Sequence, residues 1–363
     1  RPDVLDVDEM MQYRFDQGDL VGIQARRLFP DGVLIDADLS FQDKISTTKR
    51  YIQDEQSMFE GAFYWQHCFC MVDALIFRDG VWDLVEVKSS TSVKPVHLND
   101  VGFQAFLLTQ LGINIRSVFV CHIDTSYVRS GDLDRSVLFK MQDVTLDVKS
   151  QFPTVKKNIY ELLPLLKDPQ YDIPIGEHCF SPYECSGISH CWKEIPEASI
   201  FELTELPIQK KLAHYFSGDY MLANQNLDNF TRLTQRRQMA CIQEDLDFMD
   251  ASRLSQFITS IVSPISFLDF ESFQVAIPPY DGMSPYEQIP FQFSLHILDQ
   301  SQLAHDFFIS PYGVDPRLLF LNALMEKLPA SGSIVVFNRQ YESMVLTKLK
   351  SLFPDSSSFL DDV

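Results

Sequence analysis

The run Met71-Val-Asp-Ala-Leu-Ile-Phe-Arg-Asp-Gly-Val-Trp-Asp-Leu-Val-Glu-Val-Lys-Ser-Ser90 constrains the chain more than any other stretch. It reads as two strands joined by a turn at Asp79-Gly80. Side chains on a strand alternate faces with a period of two, so Glu86 and Lys88 share one face while Val85 and Val87 point the other way into a core. Asp73 lies on the partner strand and can approach them. Two carboxylates beside one ammonium make a divalent-metal site with a proton-handling group next to it. That equipment suits hydrolysis of a phosphodiester.

The metal this chemistry needs is one with hard oxygen ligands, Mg²⁺ or Mn²⁺. It lowers the pKa of a bound water and offsets charge on the phosphate. Lys88 would orient or deprotonate that water, or bind the phosphate, and Glu60 on the preceding strand would add a ligand or an outer contact. A Glu-x-Lys triplet by itself also fits a cross-strand ion pair on a solvated face. The hairpin, its apolar flanks, the acid on the partner strand and a following helix bearing Gln104 point to the metal site instead.

The chain has 363 residues, enough for two domains of ordinary size. A hydrophobic share of 45% with 29 phenylalanines supplies material for large cores. No apolar run is long enough to span a bilayer, so no membrane partner is expected. The net charge of −20 argues against a protein that coats nucleic acid with its whole surface, but it leaves room for a local basic groove. Arg26-Arg27, Lys156-Lys157, Lys210-Lys211 and Arg232 with Arg236-Arg237 are basic pairs that would touch phosphates or simply face solvent. Seven cysteines without a secretory signal imply a reducing, cytoplasmic setting rather than a disulfide framework. The chain opens on Arg1 and closes on Val363 as if cut from a longer one.

The patterning predicts helices over Asp8–Leu28, Phe41–Gln56, Asn99–Leu111 and Asp147–Leu166, and strands over Phe59–Trp65, Phe69–Phe77, Val81–Lys88 and Ser117–His122. Pro174–Pro196 reads as irregular, and helices and polar connectors follow to about Ser263. A new α/β pattern then begins, with strands at Ile265–Glu271, Ile289–Ile297 and Ser333–Phe337 and helices at Pro316–Leu328 and Arg339–Leu349.

The hairpin resembles the PD-(D/E)xK nuclease superfamily in its RecB-like branch. The resemblance implies that Asp73, Glu86 and Lys88 match the metal-binding and catalytic positions. Gln104 falls where that branch carries the glutamine of a Gln-x-x-x-Tyr helix motif, with Leu108 at the tyrosine position. The branch often has Gly-x-x-x-His in its first helix, where Gly18-Asp-Leu-Val-Gly22 ends in glycine.

A second cluster, His178-Cys179, Cys185 and His190-Cys191, lies in one loop with five residues between successive cysteines. Thiolates so spaced can bend around a metal, iron–sulfur or Zn²⁺, or remain reduced structural cysteines. The trio resembles the one that RecB-like nucleases of the CRISPR-associated and helicase-linked kinds place after the nuclease core, which holds a [4Fe–4S] cluster with a fourth, N-terminal cysteine. No cysteine precedes Cys68, so the fourth ligand is expected upstream of Arg1, with Cys68 and Cys70 as substitutes.

The third group is on the strand Ile265–Glu271. Asp269 and Glu271 share one face, with Leu268 and Phe270 opposite. Asn338 follows a hydrophobic strand, and Glu342 lies four residues on. Together these resemble DEDD-type 3′–5′ exonucleases of the ribonuclease-H-like fold, which implies metal ligation by Asp269, Glu271 and Glu342. Asp361 and Asp362 come too early to be the family's last acid, and a fold without activity fits the same residues.

Phrases such as Phe267-Leu-Asp-Phe-Glu-Ser272 and Pro285-Tyr-Glu-Gln-Ile-Pro-Phe-Gln-Phe-Ser294 resemble a bacterial family of uncharacterised domain architecture that joins both modules. The expected organisation is α/β. A restriction-endonuclease-like PD-(D/E)xK domain with the cysteine cluster occupies 1–196, a helical connector 197–262, and an incomplete DEDD exonuclease-like domain 263–363. The expected function is metal-dependent hydrolysis of DNA, at single-stranded or flapped ends, with DNA favoured over RNA as partner. The alternative is an inactive nucleic-acid-binding or assembly module with a structural metal.

Overall fold

The structure, a computed structural model, describes residues 9–166 and 173–362. They divide into two compact units, 9–166 with 261–362, and 173–260. Asp8, where the first helix is expected to begin, and the side chains of Asp361 and Asp362 lie outside the described residues.

The first part of the larger unit runs α1 (Glu9–Arg26), β1 (Val33–Leu34), α2 (Phe41–Gln53), β2 (Met58–Trp65), β3 (Cys68–Arg78), β4 (Val81–Lys88), α3 (Pro95–Gln110), β5 (Ile115–Ile123), α4 (Arg135–Leu138), β6 (Phe139–Asp143) and α5 (Thr145–Leu165). The strands form one six-stranded sheet in sequence order. Strands β2, β3 and β4 are antiparallel, whereas β4 and β5 are parallel with α3 as the crossover. The β3–β4 turn has φ of 55° at Asp79 and 80° at Gly80, the left-handed pair that a two-residue hairpin requires.

Its inner strands, β2 to β5, are covered on both faces, which explains why they read as near-continuous apolar runs. Trp82 and Leu84 pack with Val101, Ala105 and Leu108 of α3 and Val148 and Val155 of α5. Val85, Ala74 and Ile76 pack with Val21 and Ala25 of α1 on the other side. Helix α3 begins four residues earlier than the spacing predicts. Pro95 pre-sets its first turn, and the Lys94 N–H donates to His97 Nδ1 at 3.1 Å.

Residues 173–260 hold α6 (Ile188–Cys191), α7 (Ile208–Phe216), α8 (Leu233–Glu244) and α9 (Ala251–Ser260). Their core is Ile200, Leu203, Leu222, Phe230 and Met239, the last from α8, whereas α9 is exposed along its length. The described part of the cysteine loop, 173–196, groups with these helices.

The larger unit resumes with β7 (Ile265–Phe273), β8 (Ile289–Asp299), β9 (Gln302–Ile309), α10 (Pro316–Lys327), β10 (Ser333–Val335), α11 (Arg339–Leu352) and α12 (Ser357–Asp362). Its four-stranded sheet has the order β10-β7-β8-β9, with β10 parallel to β7 and the other pairs antiparallel. Leu268 and Phe270 share a core with Phe293, Phe320, Leu324, Val345 and Leu349. The connection between β7 and β8 leaves its own sheet and enters the α1-side core of the first, where Ala276 is fully buried.

Strands β1, β6 and β9 are absent from the sequence reading. The β8–β9 turn takes φ of 45° at Gln300 and 80° at Ser301, without the glycine or asparagine that normally marks such a hairpin. At Gly332, φ is +106° and an added Cβ would lie 2.0 Å from the Pro264 carbonyl oxygen. That carbonyl also accepts the Ser333 N–H at 3.0 Å, so neither group can move away cheaply. Gly332→Ala should therefore destabilise the second sheet by about 2–4 kcal/mol. The measurement is the fall in Tm together with loss of amide-exchange protection in β7 and β10.

Candidate active site

The alternation of faces slips at one point in the first sheet. On β3, Cys68, Cys70 and Val72 pack on the α3 side, and so does Leu75, whereas Ala74 and Ile76 pack on the α1 side. Asp73 occupies the slip. Across the ladder, the pairs Phe59↔Ala74 and Gly61↔Val72 bracket Glu60 opposite Asp73. Glu60 has φ of 60°, the local twist that such an irregularity imposes. The β3–β4 ladder stops at Ala74↔Val85, one step short of Asp73 and Glu86. The Val87 N–H is satisfied there by a side chain, donating to Asp73 Oδ2 at 2.6 Å.

Glu86 is buried on the α3 side. Its Oε1 pairs with Lys88 Nζ at 2.6 Å and its Oε2 accepts from Gln104 Nε2 at 2.8 Å. Lys88 also reaches Asp100 Oδ2 at 2.5 Å. Asp73, Glu86, Lys88 and Gln104 are thus in one neighbourhood, and α3 supplies both Gln104 and Asp100. Glu60 is tied to Arg26 at 3.3 Å and shares with Asp73 a small cleft lined also by Gly22, Ala25 and Val87.

Burial, and then the charge of Asp73, pushes the Glu86 carboxyl up to about 8. Burial also raises Asp73, and burial followed by the Asp73 charge raises Glu60. Burial alone would pull Lys88 down, but Glu86 and Asp100 more than offset it and hold the ammonium above its usual range. His97 is lowered by burial and by Lys88. His122, opposite Lys88 on β5, is buried with Nδ1 3.1 Å from the Ile123 carbonyl.

The donors suit a hard dication: two buried carboxylates whose proton affinities are raised, and a buried Gln104 Oε1 without a hydrogen-bond partner among the described residues. As they stand, no three His, Cys, Asp or Glu side chains among the described residues form a group that would hold a metal ion. This holds alike for Asp73 with Glu86 and Glu60, for Asp269 with Glu271 and Glu342, and for Cys179 with Cys185 and Cys191.

On β7, Asp269 and Glu271 share the exposed face, with Leu268 and Phe270 buried opposite. Glu342 lies in the first turn of α11, buried, with Oε2 unpartnered among the described residues. Asn338 caps that helix, and its carbonyl accepts the Tyr341 N–H at 2.9 Å. The Tyr341 hydroxyl meets Ser272 Oγ at 2.5 Å.

In the cysteine loop, Cys179 is buried while Cys185 and Cys191 are exposed, and all three are free thiols. The Cys185 N–H donates to the Cys179 carbonyl at 2.8 Å, which turns the loop back on itself. Trp192 packs edge-on against Phe180 and Phe201. Several of the basic pairs are already engaged: Lys157 with Glu161, Arg232 with Glu205, Arg236 with Asp228, and Arg237 over the Phe248 ring.

Sequence reasoning missed Asp100 and Tyr286. Asp100 was within reach, because it precedes Gln104 by one helical turn. Tyr286, whose hydroxyl bonds the Ser89 carbonyl, carries no such signal from 197 positions away.

Residues 266–363 match a family described as a domain of unknown function (DUF2779). No curated protein matches the chain. No solved structure matches it either. Among the described residues, no helix is long and apolar enough to cross a membrane.

Without bound metal, the raised Glu86 carboxyl makes folding stability depend on pH. The folded state keeps this proton after the unfolded chain has lost it, so the contribution is complete below pH 4.5 and drains away up to about pH 8. Wild type should therefore lose stability relative to Glu86→Gln across that window, by an amount on the order of a few kcal/mol. Denaturant melts of both proteins in chelator at pH 5, 6.5 and 8 check this. A constant gap would contradict it.

Proposed function

We propose that this chain is a metal-dependent nuclease that hydrolyses phosphodiester bonds of DNA at single-stranded or flapped ends. The observation that carries the reading is the buried Glu86 carboxylate, paired with Lys88 and held next to Asp73 at the point where the β3–β4 ladder opens. Asp73 and Glu86 would hold Mg²⁺ or Mn²⁺, with Glu60 as the next nearest acid. The metal supplies a nucleophilic water and charge stabilisation at phosphorus.

The chain's own residues divide the remaining work. Lys88, kept as an ammonium by Glu86 and Asp100, would bind a phosphate oxygen and neutralise charge that grows in the transition state. An ammonium held this firmly is a poor base, which favours the electrostatic role over deprotonation of water. Gln104 fixes the Glu86 carboxylate from α3. The strand order αβββαβ around β2–β5 supports the RecB-like, PD-(D/E)xK reading of this part.

The second sheet, with β10 parallel to β7 and a β7-β8-β9 meander, supports a ribonuclease-H-like module. Asp269 and Glu271 would be its first two metal ligands, with Glu342 as the third. The buried Glu342 and the exposed pair favour a weaker centre, so the first site carries the proposal. Cys179, Cys185 and Cys191 would hold a [4Fe–4S] cluster or Zn²⁺ in a structural role. A binding or assembly module without cleavage is the second reading, favoured by the lack of a ready three-ligand metal group among the described residues.

Lys88→Ala should lower Mn²⁺-dependent cleavage of a labelled single-stranded or flapped oligonucleotide by about 10²–10³-fold, the cost of one lost transition-state contact. Tm should fall, because Glu86 loses a partner that offsets its burial, so rates are compared at a temperature where circular dichroism shows both proteins folded. Equal rates for wild type and variant would remove the first centre. DNA binding without metal-dependent cleavage would favour the second reading. For the cysteine loop, anaerobically purified protein should contain iron with visible absorbance, or zinc without it. Replacing Cys185 and Cys191 by serine should remove that metal, and unchanged metal content would exclude the loop as its site.

A further inference from the structure

The connection between β7 and β8 belongs by sequence to the second sheet, yet it is bound to the first at several points. The Gln274 carbonyl accepts from the Tyr13 hydroxyl at 2.9 Å, and the Pro278 and Pro279 carbonyls both accept from Arg129 Nη1 at 2.8 Å. Asp281 Oδ1 accepts the Gly131 N–H at 2.8 Å. Ala276 is fully buried among first-sheet side chains. The strap returns to β8 through Tyr286.

Tyr286 has φ of 59°, a left-handed conformation that an aromatic residue keeps only where its surroundings hold it. Its N–H donates to the Val275 carbonyl at 2.8 Å, and its own carbonyl accepts from Gln274 Nε2 at 2.8 Å. Its ring packs against the α1-side core, and its hydroxyl donates to the carbonyl of Ser89, the residue directly after Lys88. One residue further on, the Ser90 carbonyl accepts the Ile123 N–H of β5 at 2.9 Å.

These tethers matter because the β3–β4 ladder stops at Ala74↔Val85. The end of β4 that carries Lys88 has β5 on one side, but no β3 backbone pairing on the other. From these contacts we infer that Tyr286 is a positioning residue of the candidate nuclease centre, fixing the backbone that leaves Lys88 so that its ammonium stays between Glu86 and Asp100. The inference deepens the nuclease reading and rests on it. Its consequence is that the β7–β8 strap supports the first centre from behind, through the backbone after Lys88, and that full cleavage by the first sheet depends on the second module.

The test uses the full chain and Tyr286→Phe, which keeps the ring and deletes only the hydroxyl. Cleavage of a labelled single-stranded oligonucleotide with Mn²⁺ is followed as kcat and KM separately, with Tm and deuterium exchange of peptides spanning Glu86–Ser92 and β7–β8. The expected result is a fall in kcat of about tenfold, as for a small misplacement of a catalytic group, with KM unchanged. Exchange should be faster at Ser89–Ser92 only, with Tm within about 2 °C of wild type. Gln274→Ala, which releases the other end of the strap residue, should give the same pattern more weakly. Wild-type kcat in Tyr286→Phe would overturn the inference, as would kcat and Tm falling together with protection lost throughout β7–β8. A wild-type chain that does not cleave, or cleaves as well with Lys88→Ala, sinks the nuclease reading first, and the positioning role falls with it.

Discussion

A carboxylate taken out of water beside a second carboxylate sets the terms for the first sheet. Glu86 is almost wholly buried, and an isolated charge there would be prohibitively costly. It is tolerated because Lys88 lies against one oxygen and Gln104 against the other. Those two partners come from different elements, so the pairing ties α3 to β4 and fixes how the helix crosses the sheet. Removing either partner leaves the other buried group uncompensated, which is why such pairs specify an arrangement more than they stabilise it. Asp73 adds a complementary constraint. By taking the Val87 N–H it seals the opening in the ladder and stays close enough to raise the proton affinity of Glu86.

The two acid pairs differ in what surrounds them. Asp269 and Glu271 face solvent, where water screens their repulsion. Asp73 and Glu86 are buried, and burial makes both hold their protons more tightly, with the charge of Asp73 adding to the effect at Glu86. A dication gains most where it replaces protons on carboxylates already crowded in a low-dielectric site. On the proposed reading, the first sheet is therefore the better place for a metal. The strap between β7 and β8 makes the second sheet a support for the first, independent of any chemistry of its own.

Much of this was legible in the sequence because it rests on local periodicity. Asp79-Gly80 announced the hairpin, the alternation put Glu86 with Lys88, and helical spacing placed Gln104 on the helix after them. The slip at Asp73 was not legible, since a one-residue change of face depends on how β2 and β3 twist together and leaves no compositional mark. Strand β9 was missed because its turn uses Gln300 and Ser301 in conformations usually left to glycine. Tyr286 was missed for a different reason. Its partner is the carbonyl of Ser89, and a backbone acceptor looks the same whichever residue carries it.

The acidic surface then becomes intelligible. With a net charge of −20, and with Arg26, Arg232 and Arg236 each tied to a neighbouring acid, long-range attraction does little to bring a polyanion in. On the proposed reading, affinity for phosphate must be generated at the centre itself, from the bound dication and from the one ammonium that Glu86 and Asp100 hold in place. A site built this way would bind phosphate only after its metal is present. Discrimination between substrate and other polyanions then rests on geometry at Lys88 instead of charge at a distance. The backbone at Lys88 is accordingly held from three directions: β5 pairs it on one side, Asp73 closes the opened ladder beside it, and Tyr286 holds its exit.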